Sequence, residues 1–304
     1  MRVGVDIGGT KTEAVTLASD GSVVGRIRLA TGTGDVAVVE TAVAAVTALA
    51  AQSDLRIQDF STIGIGVPGA VEPVSGVVSH AINLGVERLE LGAELASRFG
   101  TDVRVENDVN AAALGAFFLL DRPATSSMAY LNLGTGLAAG LVLGGQLWRG
   151  ARGAAGEIGH ILVDPAGPID LDGQHGGLEV VASGSGIARQ WGRGNGNAVS
   201  AVLDAADAGD ARAVEIRRRL FEGVAGSVRI LVLTVDVDLV VIGGGISSLA
   251  DRIMGGVNDV FAGWAAQSQF IDSLGLAERI RMLPAGAPVA ALGAAYLGGT
   301  SWPK

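Results

Sequence analysis

Two short glycine-rich turns are the segments of this sequence best suited to hold phosphate. Asp6-Ile7-Gly8-Gly9-Thr10-Lys11-Thr12 lies near the N-terminus, and Leu133-Gly134-Thr135-Gly136 repeats its strand, Gly/Thr turn, strand pattern at an offset of 126 positions. Glycine lets backbone N–H groups converge on an anion, threonine adds a hydroxyl donor, and Lys11 adds positive charge beside the first turn. Plain glycine hairpins would use the same residues, but the duplication and a third cluster, Gly243-Gly244-Gly245, favour anion binding. Asp108 follows a strand and opens a helix, where a carboxylate serves either as a cap or as a general base. A helix N-terminus would keep it ionised, and a strand end would set it at the mouth of a cleft. Asn107 and Asn110 offer the mixed donors and acceptors that a polyhydroxylated substrate needs. Glu157-Ile158-Gly159-His160 puts a carboxylate close to an imidazole, while His80 and His175 read as structural. The P-loop, HExxH and GxSxG signatures are absent, and so is cysteine, which removes thiol catalysis, disulfides and thiolate zinc.

The elements that must position these groups alternate. Val3–Asp6, Thr12–Leu17 and Ser22–Leu29 read as strands, and Asp35 is expected to cap a helix with Val39, Val43, Val46 and Ala50 on one face. Thr62–Val67 and Val103–Val105 read as further strands, with a loop from about Ala70 to Asn83 and an Ala-rich helix over Val109–Phe117. Asp121–Ser127 reads as a connection. Beyond it the pattern predicts a long helix over Ala211–Val235 with the stripe Ile216, Leu220, Val224, Val228 and Leu231. A strand Val237–Ile242, a helix Leu249–Ala266, a strand Ile280–Leu283 and a helix Pro288–Leu297 follow. Interleaved strands and helices predict an α/β layer architecture.

The chain has 304 residues, 49% hydrophobic, with 31 acidic against 22 basic side chains and a net charge of −9. The excess of acid without a Lys/Arg cluster argues against nucleic-acid binding, so anions would have to be met by local sites such as backbone amides. Asp6 interrupts the apolar run an export signal would need, and a cytoplasmic location is expected. The uncharged stretch Pro123–Trp148 could span a bilayer by length, but Asn132, Thr135, Gln146 and its glycines argue against membrane insertion.

Taken in order, Asp6–Thr12, Glu106-Asn107-Asp108-Val109-Asn110-Ala111, Leu133–Gly136, Gly156–His160 and Ile242–Gly245 resemble the motifs of the ROK family of sugar kinases and repressors, and they span nearly the whole chain. The resemblance implies an α/β protein of the two-domain actin-like ATPase (hexokinase/ribonuclease H-like) fold, with a sugar in the cleft and ATP against the second domain. It implies a sugar-binding domain over 1–120, completed by the C-terminal helix 288–304, and a nucleotide-binding domain over 121–287. By that likeness Asp6, Gly8, Gly9, Thr10, Lys11 and Thr12, with Gly134, Thr135 and Gly136, clasp the phosphates. Gly243, Gly244 and Gly245 lie by the adenosine, and Asp6 holds magnesium through water. Asn83, Asn107, Glu157, His160 and Glu179 meet the sugar hydroxyls, and Asp108 is the general base.

The implied reaction is ATP- and Mg2+-dependent phosphorylation of a hexose, first glucose at its 6-hydroxyl. The alternatives are an N-acetylglucosamine or N-acetylmannosamine kinase, a polyphosphate-using enzyme, and a sugar sensor without turnover. A homodimer is also implied. Repressor members carry an N-terminal helix-turn-helix domain, for which no room is expected before Val3. The family's zinc site departs here: its three cysteine positions fall on Asp170, Asp172 and Gly177, so no structural zinc is expected, because carboxylates without thiolates substitute poorly.

Overall fold

A computed structural model of the chain describes residues 1–170, 173–193, 197–284 and 286–299. By contacts the chain divides into two compact units. The first comprises Met1–Thr125, Gly140–Ala154 and the chain from Gly286 on; the second comprises Ser126–Ala139 and Ala155–Ala285.

In the first unit β1 (Arg2–Ile7) and β2 (Lys11–Leu17) form an antiparallel hairpin, with β3 (Val23–Ala30) as the edge strand. Val3, Val5 and Ile7 are fully buried, whereas β3 alternates and sends Arg26 and Arg28 to Glu13 on β2, each Nε–O distance being 2.7 Å. Helix α1 (Asp35–Gln52) covers this sheet with Val38, Val39, Ala42, Val46 and Leu49. Among the described residues it is the one helix long and apolar enough to cross a membrane, and that apolar side is buried in the core. Its cap is Gly34, at φ 91°, so the expected cap Asp35 is instead the first helical residue.

β4 (Thr62–Val67) lies parallel to β1, and a three-stranded antiparallel sheet follows: β5 (Ala70–Glu72), β6 (Val77–Ala81) and β7 (Val86–Leu89). The stretch expected to be loop is therefore largely strand. Helix α2 (Leu91–Phe99), β8 (Val103–Asn107) and α3 (Asp108–Leu119) complete the run. The main sheet has the order β3-β2-β1-β4-β8.

The second sheet repeats that order as β11-β10-β9-β12-β13, from β9 (Met128–Leu133), β10 (Leu137–Leu143), β11 (Gln146–Trp148), β12 (Leu239–Gly243) and β13 (Ile280–Met282). Pro123–Trp148, an uncharged stretch long enough for a bilayer span, is thus mostly strand. The second unit's helices are α4 (Leu178–Ala182), α5 (Gly184–Trp191), α6 (Ala198–Asp207), α7 (Ala211–Val235), α8 (Ala250–Gln267) and α9 (Gln269–Ser273). The Asp210 carboxylate caps α7 by accepting the Ala213 N–H at 3.0 Å, and the expected stripe of α7 is buried throughout.

Helix α10 (Val289–Tyr296) belongs to the first unit, packed on β1, β4 and α3. The approach to α3 is backbone to backbone: a Cβ at Gly115 would overlap the Val289 carbonyl, and one at Gly293 the Ala111 carbonyl.

Candidate active site

In the first unit the parallel strands β1, β4 and β8 finish at one sheet edge, with Asp6 opposite Gly66 and Gly66 opposite Glu106. Carboxyl ends of parallel strands are where α/β sheets place ligands. Asp6 also sits directly across the hairpin from Glu13, a like-charge pair that the Arg26 and Arg28 guanidiniums offset. Burial, then Asp108, then Glu13 push the Asp6 carboxyl up to about 7 from its ordinary 3.8, against the opposing pull of Lys11. The Asp6 carboxyl is thus held among like charges in a buried place.

The turn after β1 is closed by the Gly8 N–H donating to the Lys11 carbonyl at 3.0 Å. Gly9 backs onto Asn83, whose carbonyl oxygen would stand 3.1 Å from a Cβ there. Thr10, Lys11 and Asn83 are exposed. Thr12 is not: it is 1% exposed, and its hydroxyl bonds the Thr31 hydroxyl at 2.8 Å. Strand alternation sends Thr12 inward while its neighbours Lys11 and Glu13 face the other way.

At the end of β8 the cap of α3 is Asn107. Its Oδ1 accepts the Val109 and Asn110 N–H groups at 2.9 and 3.1 Å, and its Nδ2 donates to the Gly69 carbonyl at 3.2 Å. Asp108 is therefore the first helical residue and not the cap. Its Oδ1 accepts the Val109 N–H at 2.9 Å at the N-terminal end of α3. Asn110, a candidate substrate contact by sequence, is buried and gives its side-chain amide to Glu106 at 3.0 Å.

The second unit brings its own turns together. The Gly134 N–H closes its turn on the Gly136 carbonyl at 3.0 Å, and the first N–H groups of α5 are given to the Gly134 and Thr135 carbonyls at 2.9 and 3.0 Å. Gly243, ending β12, lies in register with Asn132 of β9, and a Cβ on Gly244 would crowd Leu133 and Asn132. Glu179, in the first turn of α4, accepts the Leu137 N–H at 2.9 Å, and a Cβ on Gly136 would stand 2.7 Å from the Glu179 Oε2. Gly136 is what lets this carboxylate reach the turn. Glu157 precedes and His160 ends a short 3-10 turn, Ile158–His160, and both are exposed; neither side chain makes a hydrogen bond or ion pair among the described residues.

The segment aligned with the family's zinc site is held by hydrogen bonds. Asp170 and Gln174 exchange a backbone bond at 2.9 Å, and Asp170 Oδ1 accepts the Gln174 N–H at 2.8 Å. Ile169 bridges His175, and Leu162 bridges Gly177. Asp172 lies outside the described residues. Among the described residues no group of three or more His, Cys, Asp or Glu side chains gathers as a metal site. Glu106 and Arg149, neither marked by local sequence pattern as functional, form an ion pair at 2.7 Å in the first unit. Glu106 lies in the segment Glu106–Ala111, whereas Arg149, 43 residues further along the chain, carries no local signal.

The sequence model of the ROK family matches residues 2–299. A glucokinase of Halalkalibacterium halodurans is 31% identical over 287 residues, 86% of each chain. The N-acetyl-D-glucosamine kinase of Pasteurella multocida is 30% identical over 261 residues, 82% of this chain and 85% of that one. Among solved structures, a ROK family glucokinase from Streptomyces griseus in complex with glucose and AMPPNP matches with a TM-score of 0.75 at 28% identity, covering 97% of this chain and 98% of that one. The actin-like ATPase fold expected from the motifs is borne out by these likenesses.

Proposed function

The chain belongs to the ROK family, and from that premise we propose that it is an ATP-dependent hexose kinase that phosphorylates glucose at the 6-hydroxyl. The observation that carries this reading is the edge formed by β1, β4 and β8, where the phosphate-type turn after Asp6 and the helix-opening Asp108 meet within one unit. Relatives named glucokinase, and a solved glucokinase holding glucose and AMPPNP, support the substrates.

Asp108 takes the proton of the sugar hydroxyl as that oxygen attacks the γ-phosphorus of ATP and the β–γ bridging bond breaks. Asn83 and Asn107, with Glu157, His160 and Glu179, hold the sugar hydroxyls. The turn Gly8–Thr12 and the turn Gly134–Gly136 supply backbone N–H groups to the phosphates, and Gly243–Gly245 borders the adenosine. Positioning and charge neutralisation carry most of the rate in such transfers. Asp6, with Asp108 and Glu13 as its carboxylate neighbours, would hold a hydrated magnesium ion through water, and that ion would supply neutralisation of phosphate charge. The protein acts as a cytoplasmic homodimer, which light scattering of the purified chain checks.

A panel of hexoses and N-acetylhexosamines, assayed with ATP and magnesium for ADP release, tests the reading. Glucose should give the highest kcat/KM. Preference for an N-acetylhexosamine would move the assignment to the second substrate class, which the Pasteurella relative supports. ADP release with no sugar on the panel, despite sugar binding, would sink the kinase reading in favour of a sensor. Turnover with polyphosphate in place of ATP would change the donor alone.

A further inference from the structure

Glu106 is 2% exposed at its side chain and sits two residues before the proposed base. Its Oε1 accepts the Asn107 N–H and the Asn110 Nδ2, both at 3.0 Å, and its Oε2 accepts the Arg149 Nε at 2.7 Å. Every bond that Glu106 makes on its own segment falls on the first turn of α3, the turn that carries Asp108. Arg149, 14% exposed, supplies the opposite charge beside this buried carboxylate.

The fold brings this arginine 43 residues back along the chain. Strand β10 comes hard against α3 at Gly140, where a Cβ would stand 2.6 Å from the Ala113 Cβ and 2.7 Å from the Val109 carbonyl. β11 then turns back antiparallel to β10 and ends at Trp148, so the next residue returns to the N-terminal end of α3. No side chain but glycine at 140 allows that approach.

We propose that Arg149 is a positioning residue: through Glu106 it fixes the first turn of α3, and with it the orientation of Asn107 and Asp108 toward the sugar. In this role the pair acts through Asn107 and Asp108 rather than on the reacting atoms. Losing Arg149 leaves Glu106 as a buried uncompensated carboxylate, which must turn toward water and release Asn110. The turn that aims the base then loses its brace, and displacements on the scale of an ångström at such a point cost about 10²-fold in rate.

The proposal rests on the assignment of Asp108 as the base. Its test compares the wild-type enzyme with Arg149→Met, Glu106→Gln and the double variant, measuring kcat, both KM values and the melting temperature. Arg149→Met should lower kcat by about 10–100-fold with the KM for ATP within twofold, while melting stays above the assay temperature. The double variant removes both charges while the amide oxygen introduced by Glu106→Gln still accepts from Asn107 and Asn110, so it should recover about fivefold or more of that loss. Arg149→Met turning over within twofold of wild type overturns the proposal. So does a loss of kcat that only tracks the unfolded fraction, and so does a double variant as slow as the single one. Should Arg149→Met not fold, the neutral double variant and Glu106→Gln carry the same comparison. A wild-type protein inactive on every sugar would fail the kinase reading itself, whereas an active wild type with an equally active Arg149→Met fails only the positioning role.

Discussion

Hairpin β1–β2 and hairpin β9–β10 match element for element at an offset of 126 residues, Arg2–Ile7 falling on Met128–Leu133 and Lys11–Leu17 on Leu137–Leu143. Both belong to sheets with the same strand order. Their charges differ at each matching position: Asp6, Lys11 and Glu13 in the first correspond to Asn132, Leu137 and Ala139 in the second. The strands that follow differ in the same sense. Glu106, opposite Gly66, stands at the end of β8, whereas β13 runs out through Met282 into Leu283 and Pro284. One scaffold thus occurs twice, once carrying carboxylates and their basic partners and once nearly stripped of charge, the contrast the proposed roles of the two turns depend on.

Breaking the charged half should have the largest effect. Asp108→Asn should lower kcat by about 10²–10⁴-fold with sugar affinity kept, read from ADP release and sugar titration. Near-normal turnover would remove the base from the charged half. Next comes the reverse exchange, Asn132→Asp, which puts a carboxylate at the position matching Asp6. One added charge near phosphate at a protein surface is worth about 1–4 kcal/mol, so the KM for ATP should rise about tenfold or more. An unchanged KM for ATP would mean that the second turn does not meet the nucleotide.

A smaller effect probes Asp6 without substrates. Its folded pKa of about 7 lies above its ordinary 3.8, so between those values the folded chain holds more protons than the unfolded one. Stability should therefore fall as pH rises from about 4 to 7 and then level off. In magnesium-free, nucleotide-free protein, Asp6→Asn should flatten this slope and melt above wild type at pH 8. Parallel melting curves for the two proteins would show that Asp6 bears no such strain.

Periodicity made much of this legible. β4 and α7 run over the residues expected, Thr62–Val67 and Ala211–Val235, because each has an unbroken apolar pattern between clear stops. The duplicated hairpins were legible for the same reason. The sheet β5–β7 was not: its strands have three to five residues, and Pro73, Gly76 and Gly85 punctuate them as a loop would be punctuated. Capping was the other weak point. Gly34 and Asn107 took the positions that carboxylates at 35 and 108 were equally fit to fill by type, and only backbone geometry decides between neighbours. The brace of Arg149 on Glu106 depends on where β10 and β11 lie, which no local pattern encodes.

The finest distinction concerns Thr12, which motif likeness assigns to the phosphates and whose hydroxyl the fold instead turns inward onto Thr31. Thr12→Val keeps the shape and removes that one hydrogen bond, leaving the half-buried Thr31 hydroxyl short of a partner. The cost should be about 1 kcal/mol of stability, a fall of about 2–4 °C in melting temperature, with the KM for ATP within twofold of wild type. Lys11→Met, which removes the exposed charge next door, should do the opposite and raise that KM while leaving melting nearly unchanged. If Thr12→Val instead weakens ATP binding tenfold at unchanged stability, the hydroxyl turns outward to the nucleotide. The charged half would then hold phosphate through the same threonine donor that the neutral half offers at Thr135, and the contrast between the two turns would narrow to their carboxylates alone.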